Sequence, residues 1–305
     1  MAILRNTDTG RTKRLEAEHV IGRGSHSALR LVERFVSSQH ASLRWTGERW
    51  ELKDLSSTNG TFVNGSRIEP ATHQLVAIGD RIAFGRRKPE WELIDVSPPV
   101  TMAVPFDDAE AVLADQDLIA IPSSAEPIAT IYRCGEGGWI LEQSMSATPI
   151  VDQQIFSVDS RRWKFCRPAP LYKTSLTSFP SPELVDLALT FYVSRDEEYT
   201  RVRAMGAGRE FELGAHSYHY LLLTLARRRL ADLAEGVVDS SSGWVYQEDL
   251  SRDPSMAPPQ LNLDVFRARK QFAALGIVNA ANVIERRPRT RQLRIGTSRV
   301  RIVTL

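Results

Sequence analysis

Short alternations of apolar and polar residues run through the first third of the chain. Residues 50–55 (WELKDL) alternate like a half-buried β-strand, and residues 81–85 (RIAFG) form a second run of this kind. Polar turn residues separate such runs, and Asn64-Gly65 is the dipeptide that most strongly signals a hairpin turn. The pattern predicts an all-β module over residues 1–95.

Two proline-rich segments, residues 96–105 (VSPPVTMAVP) and 169–183, predict linkers. Residues 107–168 lie between them and hold further short strand-like runs. Within this region, residues 139–165 open on a tryptophan-led strand and close on an aromatic one, as residues 50–85 do. We therefore expect a β-rich middle region, which is either a decayed partial duplicate of the first module or a β-rich spacer or dimer surface.

Residues 184–305 mix strand and helix patterns. A helix is predicted over residues 217–233, where leucines form one apolar stripe that stops before Gly236. A second helix is predicted from about Leu261 to Leu275, after the chain is broken by Pro258-Pro259. The strand-like runs of this region are residues 187–193, 199–204, 210–213, 283–286, 292–295 and 299–303.

Charge is distributed unevenly along the 305 residues, although the net charge is only +2. Residues 265–305 carry a net charge of +9, so the preceding residues carry −7. A mildly acidic body with a strongly basic end favours an anionic partner at the C-terminal end, with a solvated basic surface as the alternative. The length fits about two or three domains.

Several function classes find no support in the sequence. No apolar run approaches about 18 residues and no secretory signal is visible, so we expect a cytoplasmic protein without a membrane partner. Cys134 and Cys166 are too far apart for a CxxC site and are expected to be buried thiols. No triad, metal-ligand cluster or Walker-type loop is present, so we predict no enzyme activity, no catalytic residue, no metal and no cofactor.

The turns of the first module concentrate hydrogen-bond donors. Arg23 lies between two glycines, and hydroxyl groups follow at Ser37, Ser38 and Thr58. An arginine fork beside hydroxyl groups suits the acceptor oxygens of a phosphate. The amide of Asn59 can both donate to and accept from a peptide backbone. These residues are the predicted binding site for a phosphorylated peptide.

The order GR…SxxH…TNGT…VNG…GDxIxFG, met across about 80 residues, closely resembles the forkhead-associated (FHA) domain. The resemblance implies a β-sandwich whose loops bind phosphothreonine peptides. By position, Arg23 would pair with the phosphate and Ser37 would hydrogen-bond it. Thr58 would flank the pocket, and Asn59 would hold the peptide backbone.

The same resemblance assigns supporting roles to His40 and Gly22, which would brace the loops without touching the ligand. One position departs from the family pattern, because Ser38 stands where the family often has arginine or lysine. The loss of one charge-assisted hydrogen bond would weaken phosphate binding by about 1–2 kcal/mol. A sandwich that no longer binds phosphate is the alternative, but the other ligand residues are intact.

The C-terminal region resembles the winged-helix effector domain of OmpR-type response regulators. LNLDVFRARKQFAALGI matches the recognition helix, and RQLRIGTSRVRIV matches the wing. The resemblance implies a helix in the major groove of DNA and a hairpin on adjacent phosphates. The implied DNA contacts on the helix are Asn262, Arg267, Arg269, Lys270 and Gln271. Those on the wing are Arg287, Arg289 and Arg291.

Together these patterns predict a multidomain protein of all-β plus α+β class. It comprises an FHA β-sandwich at 1–95, a β-rich region at 107–168 and a winged helix-turn-helix at 184–305. The predicted function is a phosphothreonine-reading transcriptional regulator that binds double-stranded DNA, with a Ser/Thr kinase or its phosphorylated substrate as protein partner. The alternative is a phosphopeptide-binding adaptor whose winged helix contacts protein. A homodimer remains open.

Overall fold

The structure is a computed structural model that describes residues 1–107, 109–135, 137–143, 146–168 and 182–305. The described residues fall into two compact units. The first contains residues 1–101 and 166–168, and the second contains residues 102–165 and 182–305.

The first unit is built from short strands that form two sheets. They are β1 (Ile3–Asn6), β2 (Thr12–Arg14), β3 (Glu18–Gly22), β4 (Leu29–Arg30), β5 (Ala41–Trp45), β6 (Trp50–Asp54), β7 (Thr61–Val63), β8 (Ser66–Arg67), β9 (His73–Val76), β10 (Arg81–Phe84) and β11 (Glu90–Asp95). Over residues 1–101, one sheet has the order β2-β1-β11-β10-β7-β8 and the other β4-β3-β5-β6-β9. This confirms the predicted all-β module.

Alternation along the strands explains how the two sheets share a core. In β6, Trp50, Leu52 and Asp54 are buried while the residues between them are half-buried. Burying a side chain of the size of leucine contributes about 1.5–3 kcal/mol, so this face holds the sheets together. Asp54 is the polar exception, and it lies at the strand end that leads into the predicted phosphate-binding loops.

The middle of the chain forms another pair of sheets. Its strands are β12 (Met102–Pro105), β13 (Val112–Leu113), β14 (Leu118–Pro122), β15 (Pro127–Cys134), β16 (Gly138–Gln143), β17 (Ser146–Ile150), β18 (Ile155–Val158) and β19 (Arg161–Cys166). In the described part of this region, the sheet orders are β13-β12-β19-β18 and β14-β15-β16-β17. Their facing apolar side chains form one core that includes Trp139, Trp163 and Phe165.

The strand order of this middle sandwich repeats that of the first unit. β13-β12-β19-β18 corresponds to β2-β1-β11-β10, and β14-β15-β16-β17 corresponds to β3-β5-β6-β9, with the chain order preserved. Among the described residues, the middle sandwich has no counterpart of β4 or of the hairpin β7-β8. The connection from β14 to β15 is residues 123–126, whereas that from β3 to β5 is residues 23–40.

The C-terminal region combines two further sheets with helices. Its elements are β20 (Ala188–Val193), β21 (Thr200–Gly206), β22 (Arg209–Ala215), α1 (His219–Ala234), β23 (Val245–Tyr246), α2 (Gln247–Leu250), α3 (Pro258–Ala274), β24 (Ile284–Arg287), β25 (Gln292–Ile295) and β26 (Val300–Thr304). Within residues 182–305, the sheet orders are β22-β21-β20-β26 and β23-β25-β24. Leucines of α1 and the apolar stripe of α3 pack into one core with the first of these sheets.

Two local predictions for this region are corrected. Helix α3 begins at Pro258 and not near Leu261, because the first turn of a helix needs no backbone N–H and accepts proline. The last strand, β26, leaves the hairpin β24-β25 and pairs in parallel with β20. The stretch matched to the wing is therefore divided between two sheets.

The middle sandwich packs against the C-terminal region within the same unit. Leu118, Ala120 and Tyr132 of the sheet form a buried cluster with Phe266 of α3 and with Ala281. The outer face of the sheet β14-β15-β16-β17 is thus covered by the predicted recognition helix.

Candidate functional site

Three connections of the first unit bring the predicted phosphate ligands together. Arg23 directly follows β3, Ser37 and Ser38 precede β5, and Thr58 and Asn59 lie between β6 and β7. The backbone N–H of Arg23 donates to the carbonyl of Ser37 over 2.9 Å, and that of Thr58 donates to Ser37 Oγ over 3.2 Å. These five residues are called the loop site below, and Ser37 is only partly exposed while the other four are exposed.

A close backbone approach at Gly22 brings the first two connections together. A Cβ atom at residue 22 would lie well inside van der Waals contact with the carbonyl oxygen of Ser38. The next glycine, Gly24, donates its N–H to that same oxygen over 2.9 Å. Glycine is needed at residue 22 because any side chain would push the two loops apart.

His40 joins two of the loops from within the core, as the sequence predicted. Its Nδ1 accepts the backbone N–H of Ser37 over 3.1 Å, so its Nε2 carries the proton and donates to the carbonyl of Gly60 over 3.1 Å. Burial lowers the pKa of His40, although the bond to Gly60 and the nearby Asp54 act in the opposite direction. The neutral ring thus fixes the backbone on both sides of the loop site.

Asp54 organises the turn that carries Thr58 and Asn59. Its carboxylate accepts the backbone N–H and hydroxyl of Ser57 over 2.8 and 2.7 Å, and the hydroxyl of Thr61 over 2.6 Å. Burial alone would raise the pKa of Asp54, but these hydrogen bonds outweigh it and the pKa is lowered. The spacing Asp-x-x-Ser-x-x-x-Thr was a signal for this role that our sequence reasoning missed.

The side chain of Asn59 is oriented by a backbone group that the motif does not contain. Its Nδ2 donates to the carbonyl of Phe35 over 2.9 Å. The guanidinium of Arg86 lies 4.5 Å from the centre of the Phe35 ring, so a further cation borders this side of the loop site. Neither Phe35 nor Arg86 was predicted, because their contacts depend on the fold and not on local spacing.

Arg23 supplies the charge of the loop site. Its Nε donates to the carbonyl of Val36 over 3.3 Å, which anchors the guanidinium while the side chain remains exposed. A guanidinium held through Nε can present its terminal N–H groups as a fork to an anion. The hydroxyl groups of Ser37 and Thr58 lie beside it. Together these groups offer hydrogen-bond donors that suit the oxygens of a phosphate group.

The residues predicted on the DNA-facing helix fall into different surroundings. Arg267 and Lys270 are exposed on α3, and Lys270 pairs with Asp115 over 2.9 Å. Asn262 accepts from Arg286 over 3.1 Å. Gln271 is half-buried and donates to the carbonyl of Leu213 over 2.7 Å while its oxygen lies 2.8 Å from His219 Nε2.

Arg269 is a correction to the predicted DNA contacts, because its side chain is 1% exposed. Its two terminal nitrogens each lie 3.1 Å from an oxygen of Glu142, and its Nε donates to the carbonyl of Ala281 over 2.8 Å. The sequence pattern placed Arg269 at the edge of the apolar stripe but held no sign of Glu142, whose partner lies far away in the chain. A guanidinium used in this way does not reach a DNA groove.

The predicted wing residues lie on and beside the hairpin β24-β25. Arg287 stacks on Trp244, with its guanidinium carbon 3.8 Å from the ring centre, and donates to the carbonyl of Ser240 over 3.2 Å. Arg289 is exposed, and Arg291 lies 3.7 Å from Glu248. The hairpin therefore presents cations at the surface.

The described ranges contain no group of three or more histidine, cysteine or acidic side chains that could hold a metal ion. Cys134 is half-buried and Cys166 is buried, and the described residues contain no disulfide between them. In the part of the chain that the structure describes, the helices are too short or too polar to cross a membrane.

Comparison with known proteins finds the FHA domain family at residues 19–85. FhaA of Mycobacterium tuberculosis, an FHA domain-containing protein, is 42% identical over 78 residues, which are 25% of this chain and 14% of FhaA. FhaB of the same species is 36% identical over 67 residues, 22% of this chain and 42% of FhaB. The chain thus spans less than half the length of either relative.

A solved structure of Mycobacterium tuberculosis EmbR in complex with a low-affinity phosphopeptide is also similar. It shares 30% sequence identity, covers 32% of this chain and 25% of the EmbR chain, and has a TM-score of 0.29. The family match at residues 19–85 spans the segment that carries the loop site.

Proposed function

We propose, from the premise that residues 19–85 are an FHA domain, that this protein is a phosphothreonine-reading transcriptional regulator. The loop site binds a phosphothreonine segment of a partner protein that a Ser/Thr kinase has modified, or of the kinase itself. Helix α3 and the hairpin β24-β25 form a winged helix that binds double-stranded DNA. The proposal implies a cytoplasmic protein.

The observation that carries the peptide-binding half is the arrangement of the loop site. Arg23 is exposed and anchored, Ser37 and Thr58 are joined through the Ser37 hydroxyl, and the amide of Asn59 is oriented by the Phe35 carbonyl. Such groups suit the charge and acceptor oxygens of a phosphate together with a peptide backbone. Ser38 adds a hydroxyl at the rim but no charge.

Arg23→Ala tests this half directly. We expect the variant to lose at least about tenfold in affinity for a phosphothreonine peptide, since a hydrogen bond to a charged group is worth about 1.5–3 kcal/mol. Fluorescence polarisation of a degenerate phosphothreonine peptide library, with an unphosphorylated library beside it, measures the effect.

The matched control is Arg44→Ala, which removes an exposed arginine of β5 that pairs with Glu51. This variant should bind like the wild type. Equal binding of the phosphorylated and unphosphorylated libraries by the wild type would contradict phosphate reading, as would an Arg23→Ala variant of wild-type affinity.

The DNA-binding half is supported by element order and by charge. A small sheet, helix α1, the short α2, helix α3 and a basic hairpin follow one another in the order of a winged helix. The exposed candidates are Arg267, Lys270, Arg287, Arg289 and Arg291. Side chains of this kind neutralise phosphates and release counterions, so binding should weaken steeply with salt.

The double variant Arg267→Ala/Lys270→Ala tests this half. Affinity for double-stranded DNA should fall, and the slope of log K against log salt should decrease by roughly 1 for each phosphate contact removed. Electrophoretic mobility shifts over a salt series measure both. Arg203→Ala is the matched control. It removes a cation of β21 that pairs with Glu210 of β22.

An adaptor is the second candidate, and one observation favours it. Asn262, Arg269 and Gln271 are engaged in contacts within the protein, which leaves fewer side chains of α3 for base edges. In an adaptor the same exposed cations would meet an acidic protein surface. Salt-dependent affinity for DNA that is lost in the Arg267→Ala/Lys270→Ala variant would exclude the adaptor function.

A further inference from the structure

A buried carboxylate connects the middle sandwich to two separate elements of the C-terminal region. Glu142, near the end of β16, is 5% exposed. Both of its oxygens bind Arg269 of α3 at 3.1 Å, and Oε1 also lies 3.2 Å from a terminal nitrogen of Arg286 on β24. One side chain of the middle sandwich thus holds the predicted recognition helix and the first strand of the hairpin.

The surroundings of Glu142 keep this carboxylate charged. Burial alone would raise its pKa, but the positive charges of Arg269 and Arg286 and the hydrogen bonds from Arg269 and Tyr132 outweigh that effect and lower it. Arg269 also lies 4.5 Å above the Tyr132 ring and donates to the carbonyl of Ile284 over 2.9 Å. Charges buried in this way are tolerated only when their polar atoms are satisfied.

The contact extends beyond the ion pairs on both sides. Phe266, one turn before Arg269, packs with Leu118 and Ala120 of β14. On the exposed edge, Lys270 pairs with Asp115 over 2.9 Å. At the same end of the β14-β15 pair, the backbone N–H of Gly135 donates to the Asn279 side chain over 2.9 Å.

The described residues of the middle sandwich contain no counterpart of the segments that carry the loop site in the first unit. In the first unit Arg23, Ser37 and Ser38 lie on the connection from β3 to β5, and Thr58 and Asn59 precede the hairpin β7-β8. The corresponding connection between β14 and β15 is residues 123–126, and the described residues contain no hairpin like β7-β8. A sandwich with the same strand order but without these segments lacks the residues that are proposed to bind a phosphopeptide.

We propose that the middle sandwich is a degenerate FHA-type copy that supports the DNA-binding elements, which are α3 and the hairpin β24-β25. In this arrangement Glu142 is the residue that positions α3 relative to β24. The proposal rests on the proposed DNA-binding role of α3. Arg269 and Arg286 share one carboxylate, so a third element contributes to the spacing of helix and hairpin. It acts beside the direct bonds from Arg269 to the Ile284 carbonyl and from Arg286 to Asn262. Arg267, two residues before Arg269, and Arg289, two residues after the end of β24, are thereby held at a fixed spacing.

Hydrogen exchange of the full chain tests the support. Glu142→Gln removes the charge and leaves two buried guanidinium groups without a counterion. We expect the amides of α3 and β24 to exchange at least about tenfold faster, while those of β5 and β6 are unchanged. Glu197→Gln, which takes one carboxylate from an exposed pair with Arg227 in the same unit, is the matched control and should change none of them.

A second variant, Glu142→Asp, keeps the charge and the fold but withdraws the carboxylate by one methylene group. It should speed hydrogen exchange in the same two elements by about threefold or more. If Glu142→Gln unfolds the second unit, the Glu142→Asp result shows whether Glu142 supports α3 and β24. Exchange rates in α3 and β24 within about twofold of the wild type for Glu142→Asp would overturn the proposal, whatever Glu142→Gln does.

DNA binding by Glu142→Asp separates positioning from general support. Affinity for the preferred DNA sequence should fall about tenfold while the salt slope, which counts phosphate contacts, stays that of the wild type. Affinity and slope that both match the wild type would overturn the positioning role. If the wild type itself prefers no DNA sequence, the proposed function fails, whereas the exchange experiment still decides whether Glu142 supports α3.

Discussion

At the scale of single residues, the loop site depends on groups that would not touch a phosphopeptide. His40 was predicted to brace the loops, and its two ring nitrogens bind backbone groups of both. Asp54 was not predicted, although it accepts three hydrogen bonds in the turn that ends at Thr61. The motif residues could be predicted because their spacing is local, while Phe35 and Arg86 join the site only through the fold.

Asp54→Ala should destabilise the first unit by about 3 kcal/mol, because it leaves buried donors of Ser57 and Thr61 without an acceptor. Native-state hydrogen exchange of β5 and β6 in the full chain measures the loss. Asp8→Ala, at an exposed turn residue of the same unit, is the matched control and should cost little. A change below about 1 kcal/mol for Asp54→Ala would contradict the role given to this carboxylate.

His40 should make the first unit less stable in mild acid. Burial lowers its pKa from the ordinary value of 6.5, so between 6.5 and the lower folded pKa the unfolded chain binds more protons than the folded one. The stabilisation is complete above pH 6.5 and is lost as the pH falls through the folded pKa.

The test compares the free energy of unfolding at about pH 7.5 and about pH 5.5 in the wild type and in His40→Gln, whose amide does not titrate. The pH-dependent loss should be smaller in His40→Gln than in the wild type. Identical pH dependence in the two proteins would speak against this linkage.

At the scale of elements, periodicity identified most strands and both long helices, because each buries one face. It placed the start of α3 too late, since two prolines were interpreted as a break although a first helical turn accepts them. It also kept residues 299–303 with the wing, whereas β26 pairs with β20. Pairing between distant strands leaves no local trace in the sequence, and so it could not be predicted.

Gly22→Ala tests the close approach between the end of β3 and the loop before β5. The added methyl group would meet backbone atoms of Ser37 and Ser38, which have no flexible end to move aside. We expect a loss of about 1–3 kcal/mol in stability, as for other overpacked sites, and weaker phosphopeptide binding.

Gly138→Ala is the matched control, since its added Cβ would make only ordinary contact with the carbonyl of Cys134. Hydrogen exchange and peptide titration of both variants give the comparison. Wild-type binding and stability in Gly22→Ala would show that the two loops do not need this approach.

At the scale of the whole molecule, the structure changes the meaning of the +9 charge of residues 265–305. Several of these cations pair with acids from other parts of the chain, so the basic end is partly neutralised within the protein. The acids that lie outside residues 265–305 are Glu142, Asp115, Glu248 and Asp186. Net charge by segment could be read from the sequence, but its distribution over ion pairs could not.

The whole-molecule prediction is that the two proposed sites act through different residues of one chain. Selection of bound fragments from genomic DNA by the full chain, followed by sequencing, is the most direct test. The wild type and Arg23→Ala should enrich the same sequence motif, and Arg267→Ala/Lys270→Ala should not. Enrichment by the wild type that is no greater than that by the double variant would contradict the central claim, which is the proposal that this protein is a DNA-binding regulator.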